Sequence, residues 1–510
     1  MPKFLQRFLN YLGSDKFYRL VIIVFIVEAI WIAVSAAYPQ AFDENFHFGL
    51  IALYSHYWLP FLAHQPAHAD AYGAVARDPS YLYHYLMSFP YRLIALFTKN
   101  QTDQIVILRF MNVALFTWGL VLFNKVLHKV GTSKALSNLS LAMFILIPVV
   151  PQLASQINYD NLLFPLTALM ILYAFKLTDE IRSHSASSVN ILLFTGAGLL
   201  TSLVKYAFLP IFAAMLLFLL VLIFRTNRDN FKALSDQLLS NWRVTKPWLK
   251  GVAIAALVLP LGMFAQRDLI NLVRYHAIEP DCAKVLSLKQ CLSYSPWAYN
   301  YQNHAQLHAS GNSTSLVSTI TYPFQWLYWM WFRLFFAISG PNSSYANYPP
   351  LPLPSAATLV IFFAGLFALV KWWRKLFRNN IKLVLIFVIA AAYCVALMGQ
   401  GYYTFRYTAV LENMNGRYLV PILLLVAALF GQALSIALMK ANRRKVIFAA
   451  IALLFFLEGG GVITFIARSD PSWDVNNGAI VKVNNAARKV VKKVVVKGRS
   501  DYATHLWFFN

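Results

Sequence analysis

Two adjacent carboxylates, Asp43 and Glu44, directly follow the first long apolar segment of the chain, and His47 lies close behind them. Paired carboxylates at a membrane surface suit general-base catalysis or the binding of a cation. Asp43 also begins a predicted helix, where its side chain is expected to cap free N–H groups and the helix dipole favours its ionisation. His47, four residues later, is expected on the same helix face. The alternative explanation is a helix cap followed by a glutamate in interfacial water.

Further polar residues are predicted on the same side of the membrane as this acidic pair. Because a charge at membrane depth costs several kcal/mol unless it is paired or hydrated, we expect these residues to share one watery cavity. Lys205, Arg406 and Arg417 are expected to hold a phosphate leaving group, since guanidinium groups bind phosphate through two hydrogen bonds. The same basic residues could instead serve lipid headgroups. With Asp43 and Glu44 as predicted catalytic residues, the predicted substrate-binding residues are His47, Arg109, Asn158, Asp160, Lys205, Arg406, Arg417 and Tyr418.

The composition of the chain indicates that membrane-spanning helices position these residues. Of its 510 residues, 59% are hydrophobic and only 13% are charged, which is too little polar surface for a soluble protein of this size. The net charge of +24 comes mostly from Lys and Arg that flank apolar runs. That distribution is typical of the positive-inside pattern and of attraction to anionic membrane lipids, and it argues against a nucleic-acid partner.

The fold class predicted from these runs is all-α: a polytopic helical transmembrane protein with about eleven spans, in a range of ten to thirteen. The N-terminus is expected in the cytoplasm, behind a retained signal anchor in the plasma (inner) membrane. The spans are predicted at residues 17–38, 104–124, 135–153, 160–177, 190–205, 207–225, 250–266, 355–371, 382–399, 418–439 and 446–467.

Four regions follow from this topology. Residues 1–266 form a catalytic transmembrane module, with a first outer loop at 39–103 that is expected to hold interfacial helices near 46–62 and 81–97. Residues 267–352 form an extracytoplasmic and interfacial segment, because Trp and Tyr are dense at 326–336. Residues 353–467 form a C-terminal transmembrane module, and residues 468–510 form an extracytoplasmic tail.

Cysteine and histidine spacing adds two expectations. Cys282 and Cys291 share one predicted outer loop, where either a disulfide or two free thiols fit the sequence. His64 and His68 have the spacing of two ligands on one helix face, but the neighbouring histidines lack clean ligand spacing. No metal site and no cofactor are predicted, although dependence on a divalent ion stays open.

Several motifs, taken in order, resemble the GT-C superfamily of polyprenyl-phosphate-sugar-dependent glycosyltransferases over roughly residues 20–425. The acidic pair followed by His47 resembles its first-loop motif. NGRYLVPILL at 415–424 looks like the GRY-x-x-P signature of a poorly characterised bacterial branch. The other matching stretches are LRFMN at 108–112, NYDNLLF at 158–164 and SLVKYAFLP at 202–210.

The resemblance implies a module of about seven N-terminal helices with its active cavity on the extracytoplasmic face. It implies an undecaprenyl- or dolichyl-phosphate-linked sugar donor and inverting transfer to a glycan, lipid or protein acceptor. By the same resemblance, Asp43 is the general base with Glu44 beside it, and Asp160 is the second acidic position. Lys205 or the loop with Arg406 and Arg417 then faces the lipid phosphate. No large soluble acceptor-binding domain is recognisable after the last span.

Three other classes of membrane protein remain open, one of them a non-catalytic assembly protein. A transporter or lipid flippase would favour broken helices and paired inverted repeats, neither of which is evident. A polysaccharide polymerase or ligase also uses outer arginines and a lipid-linked substrate, but it does not require acids directly after the first span.

Overall fold

Helices make up nearly all of the computed structural model. The structure describes residues 3–228, 231–309, 316–341, 345–347, 352–378, 380–412, 414–438, 465–466 and 469–495. The expectation of an all-α chain is therefore confirmed, apart from one short antiparallel pair of strands, β1 Ala337–Ser339 and β2 Tyr345–Asn347.

The helices are numbered here in chain order. They are α1 Lys3–Leu12, α2 Asp15–Ser35, α3 Glu44–Tyr54, α4 Leu82–Phe97, α5 Gln101–Lys129, α6 Lys134–Ile145, α7 Val149–Ala154, α8 Asp160–Arg182, α9 Ser188–Val204, α10 Leu209–Asn227, α11 Phe231–Val244, α12 Pro247–Phe264, α13 Ile270–Tyr275, α14 Cys282–Val285, α15 Leu288–Cys291, α16 Ser295–Ala309, α17 Leu316–Phe335, α18 Pro352–Phe377, α19 Ile381–Thr408, α20 Val420–Ala437 and α21 Gly478–Val495.

Seven helical segments of the described chain are long and apolar enough to cross a membrane. They coincide with the predicted first, second, fourth, sixth, seventh, ninth and tenth spans. These segments are Asp15–Ser35, Gln101–Lys129, Asp160–Arg182, Tyr206–Asn227, Pro247–Tyr275, Ile381–Thr408 and Gly416–Ala437.

The remaining predicted spans differ from the expectation in several ways. The third, 135–153, is not one helix: α6 ends at Ile145, and α7 begins only after Pro148, which has no N–H to continue the ladder. The fifth forms α9, a shorter apolar helix of 17 residues. The eighth lies within α18, and the eleventh lies outside the described residues except for 465–466.

Close packing of α5 against α8 forms the centre of the helix assembly. Phe116 of α5 stacks on Phe164 of α8 with ring centroids 4.3 Å apart. Gly119 makes this approach possible, because a Cβ there would lie only 2.3 Å from the Phe164 ring. The tight pair fixes the first third of α5 beside the start of α8, and these two places carry Arg109 and Asp160.

The segment that follows α2 and a part of the C-terminal tail meet at the C-terminal end of α2. The first outer loop holds α3 and α4, the second close to its predicted position; α3 ends at Tyr54, earlier than expected. Residues of the tail pair with the end of α2 through a hydrogen bond from Val475 N to Ser35 O of 2.8 Å. A buried ion pair of 2.6 Å between Arg488 and Asp474 holds α21 in place. The described part of the tail, residues 469–495, therefore begins at the same end of α2 as Asp43.

Candidate active site

Asp43 lies at the start of α3 with its carboxylate accessible. Its backbone is left-handed, with φ 66° and ψ 32°, and its side chain makes no capping hydrogen bond. The expectation of an Asp cap is therefore wrong, because the left-handed turn directs the carboxylate away from the free N–H groups of α3. The side chain is 57% exposed, and one oxygen accepts a hydrogen bond of 3.1 Å from Arg417 Nη2. Asp43 thus keeps an oxygen available to a substrate.

Glu44 is instead buried and forms an ion pair with Arg109, and its two oxygens accept four hydrogen bonds. Its two oxygens accept from Arg109 Nε at 2.8 Å and Nη2 at 2.7 Å. They also accept from the backbone N–H groups of Gln40 at 2.8 Å and Ile157 at 3.1 Å. Arg109 donates further to the carbonyls of Ala33, Ala36 and Ala37. This geometry favours a structural role for Glu44, which joins α2, α3, α5 and the loop before α8.

Arg417 lies beside Asp43 although 374 positions separate them in the chain. Its Nη1 donates to the Phe42 carbonyl at 2.9 Å, and the same oxygen accepts from Asn158 Nδ2 at 3.0 Å. Phe42 is also left-handed, with φ 52°. Two consecutive non-glycine residues in this region are strained, and such strain is held only where the surroundings over-determine it. The hydrogen bonds from Arg417 and Asn158 to the Phe42 carbonyl hold this turn, which carries Asp43, in its strained conformation.

Lys205 and Asp160 form a buried ion pair close to Arg417. Lys205 lies in the break between α9 and the 3₁₀ turn Tyr206–Phe208, and its Nζ is 2.7 Å from Asp160 Oδ1. The Nζ atom is 4.5 Å from the Tyr159 ring centroid and 5.1 Å from that of Tyr418. The Arg417 guanidinium is also 5.1 Å from the Tyr418 ring. Tyr418 therefore contacts both Lys205 and Arg417. The Asp43–Arg417 and Lys205–Asp160 ion pairs thus share one site.

His47 is buried at the inner wall of this site. Its ring meets the Tyr159 ring edge-on at 4.5 Å, and its Nδ1 lies 2.9 Å from Nε2 of His84. Burial lowers the pKa of His47 well below its usual value, with His84, Arg417 and Lys205 adding to the effect. The imidazole is therefore neutral at pH 7. The His47 N–H donates to the Asp43 carbonyl at 3.1 Å, so the two residues are one helical turn apart, as the spacing predicts.

Arg406 is the predicted site residue that the structure places elsewhere. Residues 400–417 were expected to form an outer loop, but α19 continues to Thr408. Arg406 therefore lies in the last turn of a helix, where it is exposed and donates to Thr319 Oγ1 at 3.1 Å. No contact between Arg406 and the two ion pairs is found among the described residues. The phosphate-binding role expected of Arg406 is not supported by this position.

Two residues of the site, Tyr159 and His84, were not predicted. Tyr159 immediately precedes Asp160 and packs against both His47 and Lys205. His84 was assigned only to a histidine group without clear ligand spacing. Its position in the site depends on α4 packing against α3, which no local pattern shows.

The segment that follows α13 adds another wall. Cys282 and Cys291 form a disulfide with Cα atoms 5.8 Å apart, so the first of the two alternatives is the one found. Tyr294 then packs its ring on that of Phe46 at 6.0 Å. Glu279, in the same segment, is accessible to solvent, yet surrounding protein desolvates its carboxyl and raises its pKa.

The described residues contain no group of three or more His, Cys, Asp and Glu side chains placed to hold a metal ion. The chemistry available is an accessible carboxylate, two cations in contact with one tyrosine, and a neutral imidazole. No protein-family model and no curated protein matches this chain.

Proposed function

We propose that the protein is an integral membrane glycosyltransferase that moves a sugar from a polyprenyl-phosphate donor to an extracytoplasmic acceptor. The observation that carries the proposal is the meeting of Asp43 with Arg417 at 3.1 Å, beside the Lys205–Asp160 pair. A base and phosphate-binding cations are what this transfer requires in one place. The proposal follows the resemblance of the motifs to the GT-C superfamily.

Asp43 is proposed as the general base. Its carboxylate takes the proton of an acceptor hydroxyl while the acceptor oxygen attacks the anomeric carbon of the sugar. The bond from that carbon to the phosphate oxygen breaks at the same time, and the polyprenyl phosphate leaves with both electrons. A single displacement of this kind inverts the anomeric configuration. The exposure of Asp43 supports this role, whereas the four hydrogen bonds to Glu44 leave it no oxygen for a substrate.

Lys205 and Arg417 are proposed to bind the phosphate. Lys205 directs one of its three N–H donors to Asp160 and makes no other side-chain hydrogen bond to the described residues, so two donors are proposed to bind the ligand. Arg417 Nε has no hydrogen-bond partner among the described residues but is enclosed by protein, so Arg417 is proposed to stabilise the phosphate by its charge. Tyr418 contacts both cations and lies where the phosphate and the sugar meet in this proposal.

The site is proposed to face away from the cytoplasm. Asp43, Arg109 and Asp160 lie at one end of α2, α5 and α8. Basic residues lie at the opposite ends of the same helices: Arg19 in α2, Lys129 in α5 and Arg182 in α8. Because basic residues flank the cytoplasmic ends of membrane helices, the site belongs to the other side. A lipid-linked donor would reach it with its tail still in the bilayer.

The decisive experiment measures sugar transfer by the purified protein in nanodiscs. A panel of undecaprenyl-phosphate hexoses and pentoses first identifies a donor that the wild-type protein uses. Asp43→Asn is then expected to lower the rate by about 10²- to 10⁴-fold, the usual contribution of a general base, while binding of the donor persists.

The matched control is Asp103→Asn, which removes an exposed carboxylate at the start of α5. It is expected to leave transfer unchanged. Wild-type rates in Asp43→Asn would exclude Asp43 as the base. Movement of intact donor across the bilayer by the wild-type protein, with no transfer, would instead indicate a flippase.

A further inference from the structure

The tail helix α21 is amphipathic, but its polar face is directed toward the protein. Asn484 and Arg488 are buried, with 0% and 7% of their surface exposed. Arg488 forms the ion pair with Asp474 and donates to Ser469 Oγ at 3.0 Å. Asn484 Nδ2 donates to the Asp474 carboxylate at 3.1 Å. Because these contacts are buried and directional, they fix the rotation of α21 about its own axis.

The opposite face of α21 carries an exposed apolar stripe. The stripe consists of Ala479, Val483, Ala486 and Val490, whose spacing places them on one side of a helix. Val483 is 51% exposed and Val490 is 62% exposed. A surface helix normally turns its apolar stripe toward the protein core, so the reversed arrangement of α21 indicates that the stripe meets a second apolar surface.

The contact between α21 and α2 relates this stripe to the bilayer. Asn484 Oδ1 accepts a hydrogen bond of 3.1 Å from Trp31 Nε1. Trp31 lies near the C-terminal end of α2, which is long and apolar enough to span a membrane. Ile23 and Val27 precede Trp31 at intervals of four residues, and they are 57% and 62% exposed, as expected of side chains that face lipid. The helix α21 therefore lies where the lipid-facing row of α2 ends.

Aromatic residues at the start of the tail indicate the same depth. Trp473 packs against an apolar cluster that contains Ile32 of α2 and Phe332 of α17. Trp329 and Trp331 of α17 pack against the same cluster. Tryptophan is enriched where the bilayer meets water, so three partly exposed tryptophans at one end of α2 are typical of the headgroup level.

Two lysines make anionic lipid the ligand that fits this helix best. Lys482 and Lys489 are exposed and lie along one side of the apolar stripe. The stem of a lysine can cover apolar surface while its ammonium group reaches a lipid phosphate. A protein partner fits less well, because four short side chains on one helix offer far less than the about 800 Å² that each partner buries in a stable interface.

We propose that α21 is a membrane-binding helix that lies on the surface of an anionic bilayer. Val483 and Val490 enter the layer below the headgroups, and Lys482 and Lys489 bind lipid phosphates. The buried contacts of Asn484 and Arg488 hold the helix in the orientation that this binding requires. The inference concerns a surface remote from Asp43 in the chain and does not depend on the proposed function.

The position of the stripe can be measured by fluorescence of the full-length protein in nanodiscs that hold one copy each. Cys394→Ala removes the free cysteine, and Val483→Cys or Val490→Cys then carries an NBD fluorophore. Asn485→Cys is the matched control, because Asn485 is exposed on the same helix but lies off the stripe. In nanodiscs that contain phosphatidylglycerol, we expect the label on either stripe position to emit at shorter wavelength than the control label. We also expect spin-labelled lipid to quench it more strongly and aqueous iodide to quench it less.

Equal quenching of the stripe and control labels by both quenchers would overturn the proposal. Protection of the stripe labels from both quenchers would also overturn it, because protein would then cover the stripe. The lysines are tested by combining Lys482→Gln and Lys489→Gln with the labelled Val483→Cys. Quenching by spin-labelled lipid is expected to be stronger in phosphatidylglycerol than in phosphatidylcholine when the lysines are present, and equal in the two lipids when they are replaced. The same quenching in both lipids with the lysines present would overturn the binding of anionic lipid.

Discussion

Glu44→Gln provides the sharpest test of how the two neighbouring acids divide their roles. The Glu44 and Arg109 side chains are 0% and 2% exposed, and four N–H groups point at the Glu44 oxygens. A glutamine there replaces one oxygen by an NH₂ group, which then faces two N–H donors. The substitution therefore removes the ion pair and at least two hydrogen bonds at once.

The expected cost can be bounded from these contacts. Breaking a buried ion pair by removing one partner costs about 3–5 kcal/mol, since a charge is left buried without compensation. Arg109 keeps three backbone carbonyl partners, which lowers the cost. We therefore expect Glu44→Gln to reduce the free energy of unfolding by about 3 kcal/mol.

Asp43→Asn is the matched comparison. The Asp43 side chain is half-exposed and makes one ion pair, which is worth about 0–1 kcal/mol. Asparagine also tolerates the left-handed backbone at this position better than most residues. We therefore expect a change of at most about 1 kcal/mol in stability, together with the loss of transfer.

Unfolding of both variants can be followed in mixed micelles by the fluorescence of the 13 tryptophans as denaturing detergent is added. A Glu44→Gln variant within about 1 kcal/mol of the wild-type protein would refute the structural role of Glu44. Equal destabilisation by both substitutions would refute the division of roles between the two acids.

Three further outcomes can be checked on the same preparations. Lys205→Met should reduce the free energy of unfolding by about 3–5 kcal/mol, because its buried carboxylate partner loses its counter-charge; a smaller loss in detergent unfolding would contradict the ion pair. In denatured, unreduced protein only Cys394 should react with a maleimide polymer, with Cys282 and Cys291 reacting after reduction; three modifications before reduction would exclude the disulfide. The free energy of unfolding should fall as the pH drops below about 6.5. His84 is then protonated in the unfolded state, whereas in the folded state burial holds its pKa at about 3. The expected loss of stability at pH 5 is about 2 kcal/mol. His84→Gln should remove this part of the pH dependence. If the free energy of unfolding of that variant changes with pH between 7 and 5 as in the wild-type protein, the assignment to His84 is wrong.

Local patterns in the chain were sufficient for seven of the long apolar helices. Apolar runs of spanning length predict helices because lipid offers no partner to backbone N–H and C=O groups. Seven such segments are present where the sequence places them. The break at Pro148 was missed, although a proline inside an apolar run is itself a local signal for the end of a helix.

The same reasoning predicted only part of the site. The cost of charges at membrane depth predicts that polar residues from distant segments gather, and Asp43, Arg417, Lys205 and Asp160 do so. The cost of a buried charge does not specify which residues pair with each other. Arg406 was therefore predicted in the site, but α19 extends to Thr408 and places Arg406 on its exposed end.

The sequence by itself determined that the chain is helical, apolar and supplied with acids and bases near the ends of its helices, since these properties follow from residue type and spacing. Only the tertiary structure decided which acid is available. Asp43 and Glu44 are chemically alike and adjacent, but one lies on a left-handed turn with an accessible carboxylate and the other accepts four buried hydrogen bonds. That difference arises from Arg109 of α5 and from Arg417 of the 3₁₀ turn Gly416–Leu419, which only the tertiary structure brings to the start of α3.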